Sequence, residues 1–163
     1  MKYARLLKAL LVCTVLMTPV AAESVNLPAR TSPIPATTDG VPHVQLGVEP
    51  DPAISAALLE RVAGIPDVEI RDTVISLPGA HGFWLSDHVA LANPQVIVGG
   101  RGFAHVHPDG SLHAALPPEL AFKAVEAGWA TRHPWATKRP GWEGFVMLYT
   151  PMSEDEMNVV FQL

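Results

Sequence analysis

The stretch His105-Val106-His107-Pro108-Asp109-Gly110-Ser111-Leu112-His113 constrains this chain more than any other, because it gathers three of the seven histidines around one tight turn. Pro108-Asp109-Gly110 separates two short segments that read as strands, Gly102 to His107 and Ser111 to Leu116. A three-residue hairpin loop ending in a left-handed glycine suits that composition, with Gly110 supplying the positive φ. With such a loop His107 faces Ser111 and His105 faces His113. Cross-strand partners share a face, so three imidazoles and a hydroxyl would line one side of an antiparallel pair. A two-residue Asp-Gly loop would instead shift the register by one and send His113 to the opposite face.

The remaining chain supplies elements to pack around such a hairpin. Asp51-Pro52 pairs a capping residue with proline at the first helical position, and Ile54, Leu58, Leu59 and Val62 recur at helical spacing up to Gly64. Asp67 to Leu77 alternates as a strand does, and Phe83-Trp84-Leu85 opens a second apolar segment after the Pro78-Gly79 turn. Gln95 to Val98 is a short β-branched run. Pro117-Pro118-Glu119 starts a helix through Ala127 that Gly128 closes. Phe145 to Tyr149 reads as a strand, and Ser153-Glu154-Asp155-Glu156 has the cap and acidic first turn of a last helix. About three helices flanking a mainly antiparallel sheet give an α+β class, and nothing suggests a second domain or a repeat.

The amino terminus is of another kind. Lys2, Arg5 and Lys8 precede an apolar stretch from Ala9 to Val20, and Ala21-Ala22 are small residues before Glu23. Residues 1–22 therefore read as a secretory signal peptide, with an uncleaved membrane anchor as the competing reading, and the expected location is exported, periplasmic or secreted. Cleavage would remove three of the eleven basic residues and none of the sixteen acidic ones, leaving eight against sixteen, a formal charge of −8. Nucleic acid is a poor partner for such a surface. Contact with a membrane is expected only through the amino-terminal segment, if it is retained. Cys13 is the only cysteine, so an exported chain has no thiol for a disulfide, a nucleophile or a metal site. Residues 23–50 carry Pro28, Pro33, Pro35, Pro42 and Pro50 and read as a Pro-rich linker, with the domain following from residue 51 to 163.

Phe103 to His113, with Leu116-Pro117, Gly128-Trp129, His133-Pro134 and Tyr149-Thr150-Pro151, resemble the luciferase-like domain family, which includes fungal luciferases and many bacterial proteins. The resemblance runs from about Asp51 to the carboxyl terminus. Fungal luciferases oxidise a hydroxylated styryl-pyrone with molecular oxygen and without a flavin, so the resemblance implies a cofactor-independent oxygenase acting on a small planar enol or phenol. His105, His107 and His113 are the positions carried over. The chain departs from the family at Gly102 and Thr131, where acidic residues are expected, and at Met152, where Arg is common.

Oxygen chemistry without a cofactor needs an electron-rich enolate, and a neutral imidazole suits its formation. His107 is the expected base, with His105 or His113 orienting it. Arg101, Asp109, Ser111, Trp129, His133 and Tyr149 are the expected substrate-binding residues, Arg101 as a candidate oxyanion partner. Two further classes compete. His105, His107 and His113 have the pattern of a three-imidazole site for a divalent transition metal, although the glutamate that completes a cupin motif is missing. A non-catalytic binder of aromatic molecules could instead use Trp84, Trp129, Trp135, Trp142, Phe83, Phe103 and Tyr149, with Trp135 and Trp142 as a lip over the site. His43, His81 and His88 have no partner in sight. No Gly-x-Ser-x-Gly or phosphate-binding loop occurs.

Overall fold

The computed structural model describes residues 26–163, apart from 74, 92–93 and 95–99. Residues 1–22, which read as a signal peptide and include Cys13, and the Gln95–Val98 run lie outside the described residues. Among those described, helix α1 (Pro52–Ala63) starts where the sequence places it. The Asp51 carboxylate accepts from the Ala53 N–H at 2.8 Å, and Pro52 fills a position whose N–H would be unpaired in any case. The strands are β1 (Val68–Asp72), β2 (His81–Leu85), β3 (Gly102–Val106), β4 (Leu112–Ala115), β5 (Ala130–Arg132) and β6 (Phe145–Leu148). They form one antiparallel sheet in the order β1-β2-β3-β4-β6-β5. Helix α2 (Pro118–Glu126) lies between β4 and β5. Helix α3 (Glu154–Gln162) ends the chain, capped by Ser153, whose hydroxyl accepts from the Glu156 N–H. The α+β class and the single domain hold.

The sheet has two chemically different faces because its central strands alternate. Ala104, Ala114 and Val146 are in register across β3, β4 and β6, as are Val106, Leu112 and Leu148. These side chains bury against Leu58 and Val62 of α1, Ala121 and Ala124 of α2, and Met157 and Val160 of α3. Between the two rows lies a third, His105, His113 and Met147, whose side chains must point the other way.

Two elements differ from their sequence reading. Regular pairing in β1 stops at Asp72, although alternation continues to Leu77, because β2 offers partners only for residues 68–72. The three-residue β5 has too few residues to show a period and exists because β6 has a free edge beside it.

The larger difference concerns residues 26–50, the described part of the Pro-rich stretch read as a linker. From residue 26 the backbone is irregular, as its prolines dictate, but it is a strap on the domain and no free linker. The Arg30 N–H bonds to the Ala127 carbonyl, the Trp129 indole N–H to the Pro28 carbonyl, and Gln45 exchanges two hydrogen bonds with Thr150. Arg30 pairs with Glu156 at 3.1 Å, both side chains at 5% exposure or less. Thr37 and Gln45 form an antiparallel bridge, so residues 37–45 fold back on themselves and carry His43 inward at 4% exposure. No described helix is long and apolar enough to cross a membrane.

Candidate active site

The hairpin after β3 has the three-residue loop. His107 N–H bonds to the Ser111 carbonyl at 2.8 Å, Gly110 N–H returns to the His107 carbonyl at 2.9 Å, and Gly110 has φ +81°. A Cβ on Gly110 would also meet the Thr150 methyl at 2.8 Å, so both the backbone angle and the packing require glycine here. Thr150 anchors this tip by donating from its hydroxyl to the Asp109 carbonyl at 2.6 Å. The register that follows places His105 opposite His113, with His107 and Ser111 beyond them on the same side.

Five histidines converge rather than three. His105, His107 and His113 have ring centroids 4.7 to 5.1 Å apart, and His133 and His43 lie 4.7 and 5.3 Å from His113. All five are buried. They line a pocket of about 230 Å³ with Pro42, Leu77, Trp135 and Phe145 among its walls. Burial disfavours the charged ring, and each imidazole would repel a neighbouring imidazolium. His105 and His133 are pushed down to about 4, chiefly by burial, and His43, His107 and His113 are lowered for the same principal reason. At neutral pH the cluster is uncharged.

Two of these rings have their tautomer set by what they touch. The Ser111 hydroxyl lies 2.7 Å from Asp109 Oδ1 and 3.0 Å from His107 Nδ1. It donates its one proton to the carboxylate, so it accepts from His107 Nδ1–H, and the His107 lone pair is on Nε2. His133 is the reverse. Its Nδ1 accepts from the Trp135 backbone N–H at 3.1 Å, so a neutral His133 carries its proton on Nε2. His113 joins the other two, with Nδ1 3.1 Å from His105 Nε2 and Nε2 3.1 Å from His43 Nδ1.

Of the residues expected to bind substrate, Asp109, Ser111 and His133 belong to this constellation and three others do not. Arg101 is turned away, its guanidinium donating to the carbonyls of Leu85 and Val89 at the far end of β2. Trp129 and Tyr149 sit under the strap, where the Arg30 guanidinium lies 5.4 and 5.9 Å from their rings. Phe83 and Phe103 pack with the helices, so the pocket's aromatic wall is Trp135 and Phe145. Trp142 backs that wall, 5.6 Å from Trp135 and 5.0 Å from Phe145. His81 is exposed, and His88 pairs with Asp67 on the surface. His43 was invisible to sequence reasoning. It lies in irregular backbone 70 residues from its partner, and no local pattern marks it.

The family model of the luciferase domain matches residues 100–163, the stretch that holds the hairpin, four of the five pocket histidines and Tyr149-Thr150-Pro151. A luciferase of Armillaria gallica is 30% identical over 155 residues, an alignment covering 83% of this chain and 57% of that protein. The chain carries a luciferase-like domain. It spans little more than half the length of that fungal relative, and no solved structure matches it. Within the luciferase-like domain, the Tyr149-Thr150-Pro151 motif now has a physical role: Tyr149 is stacked against Arg30, and Thr150 ties the histidine hairpin to the strap. The strap itself precedes the matched stretch and adds the fifth imidazole.

Proposed function

We propose that the luciferase-like domain is an oxidoreductase that joins molecular oxygen to a small planar enol or phenol in the histidine pocket. The observation that carries this reading is the pair of neutral imidazoles with opposite tautomers, His107 with a lone pair on Nε2 and His133 with a proton on Nε2. One can take a proton from an enol hydroxyl, and the other can donate to the oxygen that becomes negative. Ser111 and Asp109 orient His107 and stabilise its imidazolium once it has taken the proton. The enolate gives one electron to oxygen, and recombination of the two radicals forms the carbon–oxygen bond of a peroxide anion, which regains a proton from His107.

Size and polarity support the same substrate class. An apolar cavity of about 150 Å³ accepts a benzene ring, so about 230 Å³ suits one substituted ring or a small fused pair. Trp135, Phe145, Leu77 and Pro42 provide flat or apolar walls for it. A low-dielectric, water-poor surround also favours electron transfer from the enolate over its reprotonation by solvent. The fungal relative is named a luciferase, and the family resemblance implies oxygen chemistry on an enol; emission of light is a separate property that this reading does not require.

Oxygen consumption with a panel of hydroxypyrones and simple phenols tests the proposal. The wild-type chain should consume oxygen with at least one planar acidic enol, in proportion to product by mass spectrometry. No consumption above the protein-free rate across the panel would overturn it.

A further inference from the structure

The lone pair that suits His107 to be a base also suits it to be a ligand. We propose that His105, His107 and His113 form a binding site for one divalent first-row transition-metal ion, open on the pocket side. Their ligand nitrogens all lie within 4.8 Å of one another. Two imidazole nitrogens at about 2.0–2.1 Å from one ion lie roughly 3 to 3.4 Å apart. His113 Nδ1 and His105 Nε2 are 3.1 Å apart, the separation that two ligands of one ion need, and each ring would turn to aim its lone pair at the ion rather than at the other ring.

A second trio, His43, His113 and His133, is equally compact. Proton placement separates the two. The Trp135 N–H occupies His133 Nδ1, which puts a proton on the other nitrogen and leaves that ring no lone pair to give. In the first trio the outer nitrogens of His107 and His113 both have a consistent role. His107 donates Nδ1–H through Ser111 to the Asp109 carboxylate, the arrangement that orients metal-bound imidazoles and raises their basicity. His113, ligating through Nδ1, keeps its proton on Nε2 and donates it to His43 Nδ1 at 3.1 Å. The ligand set is three neutral nitrogens with no thiolate or carboxylate, which fits zinc, copper, iron or nickel and disfavours calcium and magnesium.

The site goes beyond the oxygenase reading and stands without it. An ion there would hold an enolate oxygen by direct coordination, a task that otherwise falls to proton transfer to His107. Binding is measured without substrate, so its outcome is separate from that of the oxygen assay.

The test is titration of the chelator-stripped chain, prepared without a histidine tag, with Co²⁺ and then Zn²⁺ as the only added ions. One equivalent of Co²⁺ should bind with visible ligand-field absorption, and Zn²⁺ should displace it. Losing an outer partner costs roughly tenfold to a hundredfold in affinity. Ser111→Ala should fall in that range, His105→Gln beyond it, and His133→Gln should stay within about threefold of wild type. The wild-type chain gives a readout that needs no variant to fold: Zn²⁺ should shift the ¹⁵N resonances of His105 Nε2, His107 Nε2 and His113 Nδ1, and leave His133 protonated on Nε2. Absence of stoichiometric uptake overturns the site. So does loss of affinity in His133→Gln with none in His105→Gln, which would place the ion on the other trio.

Discussion

The two faces of the sheet are made by alternate residues of the same strands, yet they are built on opposite principles. On the helix face Ala104, Val106, Leu112, Ala114, Val146 and Leu148 meet α1, α2 and α3 with apolar atoms alone. On the other face His105 and His113 meet His43 and the hairpin's His107 through ring nitrogens that hydrogen-bond to one another and to Ser111. One face contributes stability in proportion to the area it removes from water. The other keeps five titratable rings uncharged in a confined space, which costs stability whenever protons are plentiful. One strand can serve both purposes because a residue's neighbours in sequence lie on the opposite side of the sheet.

Substitutions that touch one face and spare the other sharpen this contrast. His107→Gln should lower oxygen turnover by about 10²- to 10⁴-fold, the usual scale for losing a general base, while shifting the urea midpoint little. Turnover equal to wild type would remove His107 from the chemistry. Leu148→Ala, one residue beyond Met147 on β6, should do the converse. It should cost about 2–5 kcal/mol in urea or thermal unfolding and leave the rate of the folded fraction unchanged, because Leu148 is 2% exposed and surrounded by helix-face side chains.

The strap offers a third comparison, between wall and support. Arg30→Ala leaves Glu156 buried without its cation, and breaking such a pair costs about 3 kcal/mol or more. It should also free residues 26–50 to limited proteolysis and raise the exchange rate of the Gln45 and His43 amides. Equal protease resistance in the variant would mean that the Trp129 and Thr150 contacts hold the strap without Arg30.

Acid should act on the histidine face. His105 and His133 take up protons near pH 4 when folded and near 6.5 when unfolded. The unfolded chain binds more protons between those values, so stability is fully present above about pH 6.5 and declines as pH falls toward 4. Each of the two adds a slope of about 1.4 kcal/mol per pH unit in that window. A His105→Gln/His133→Gln double variant should flatten the profile of unfolding free energy against pH. An unchanged profile would locate the acid sensitivity elsewhere.

Much of this was legible in the sequence where the determinants are local. The Asp51-Pro52 start of α1, the Ser153 cap of α3 and the loop type at Pro108-Asp109-Gly110 each depend on residues within four positions, and each forms as read. The family resemblance and the clustering of His105, His107 and His113 followed from the same short range. What escaped was non-local. Arg30 and His43 lie in a Pro-rich stretch without periodicity, and their partners are 126 and 70 residues away. Trp129 and Tyr149 were read as substrate contacts because aromatic residues serve a pocket and a cation equally well, and only the fold shows Arg30 lying over them. Arg101 has a related lesson: the carbonyl oxygens of Leu85 and Val89, at and beyond the end of β2, take up its guanidinium, and no local pattern marks them.

Both functional proposals depend on where two protons sit, and long-range ¹H–¹⁵N correlation spectra of the histidine rings at pH 7 observe this directly. The account predicts five neutral pocket rings, with His107 protonated on Nδ1 and His133 on Nε2. An imidazolium at either position, or the same tautomer at both, would contradict it.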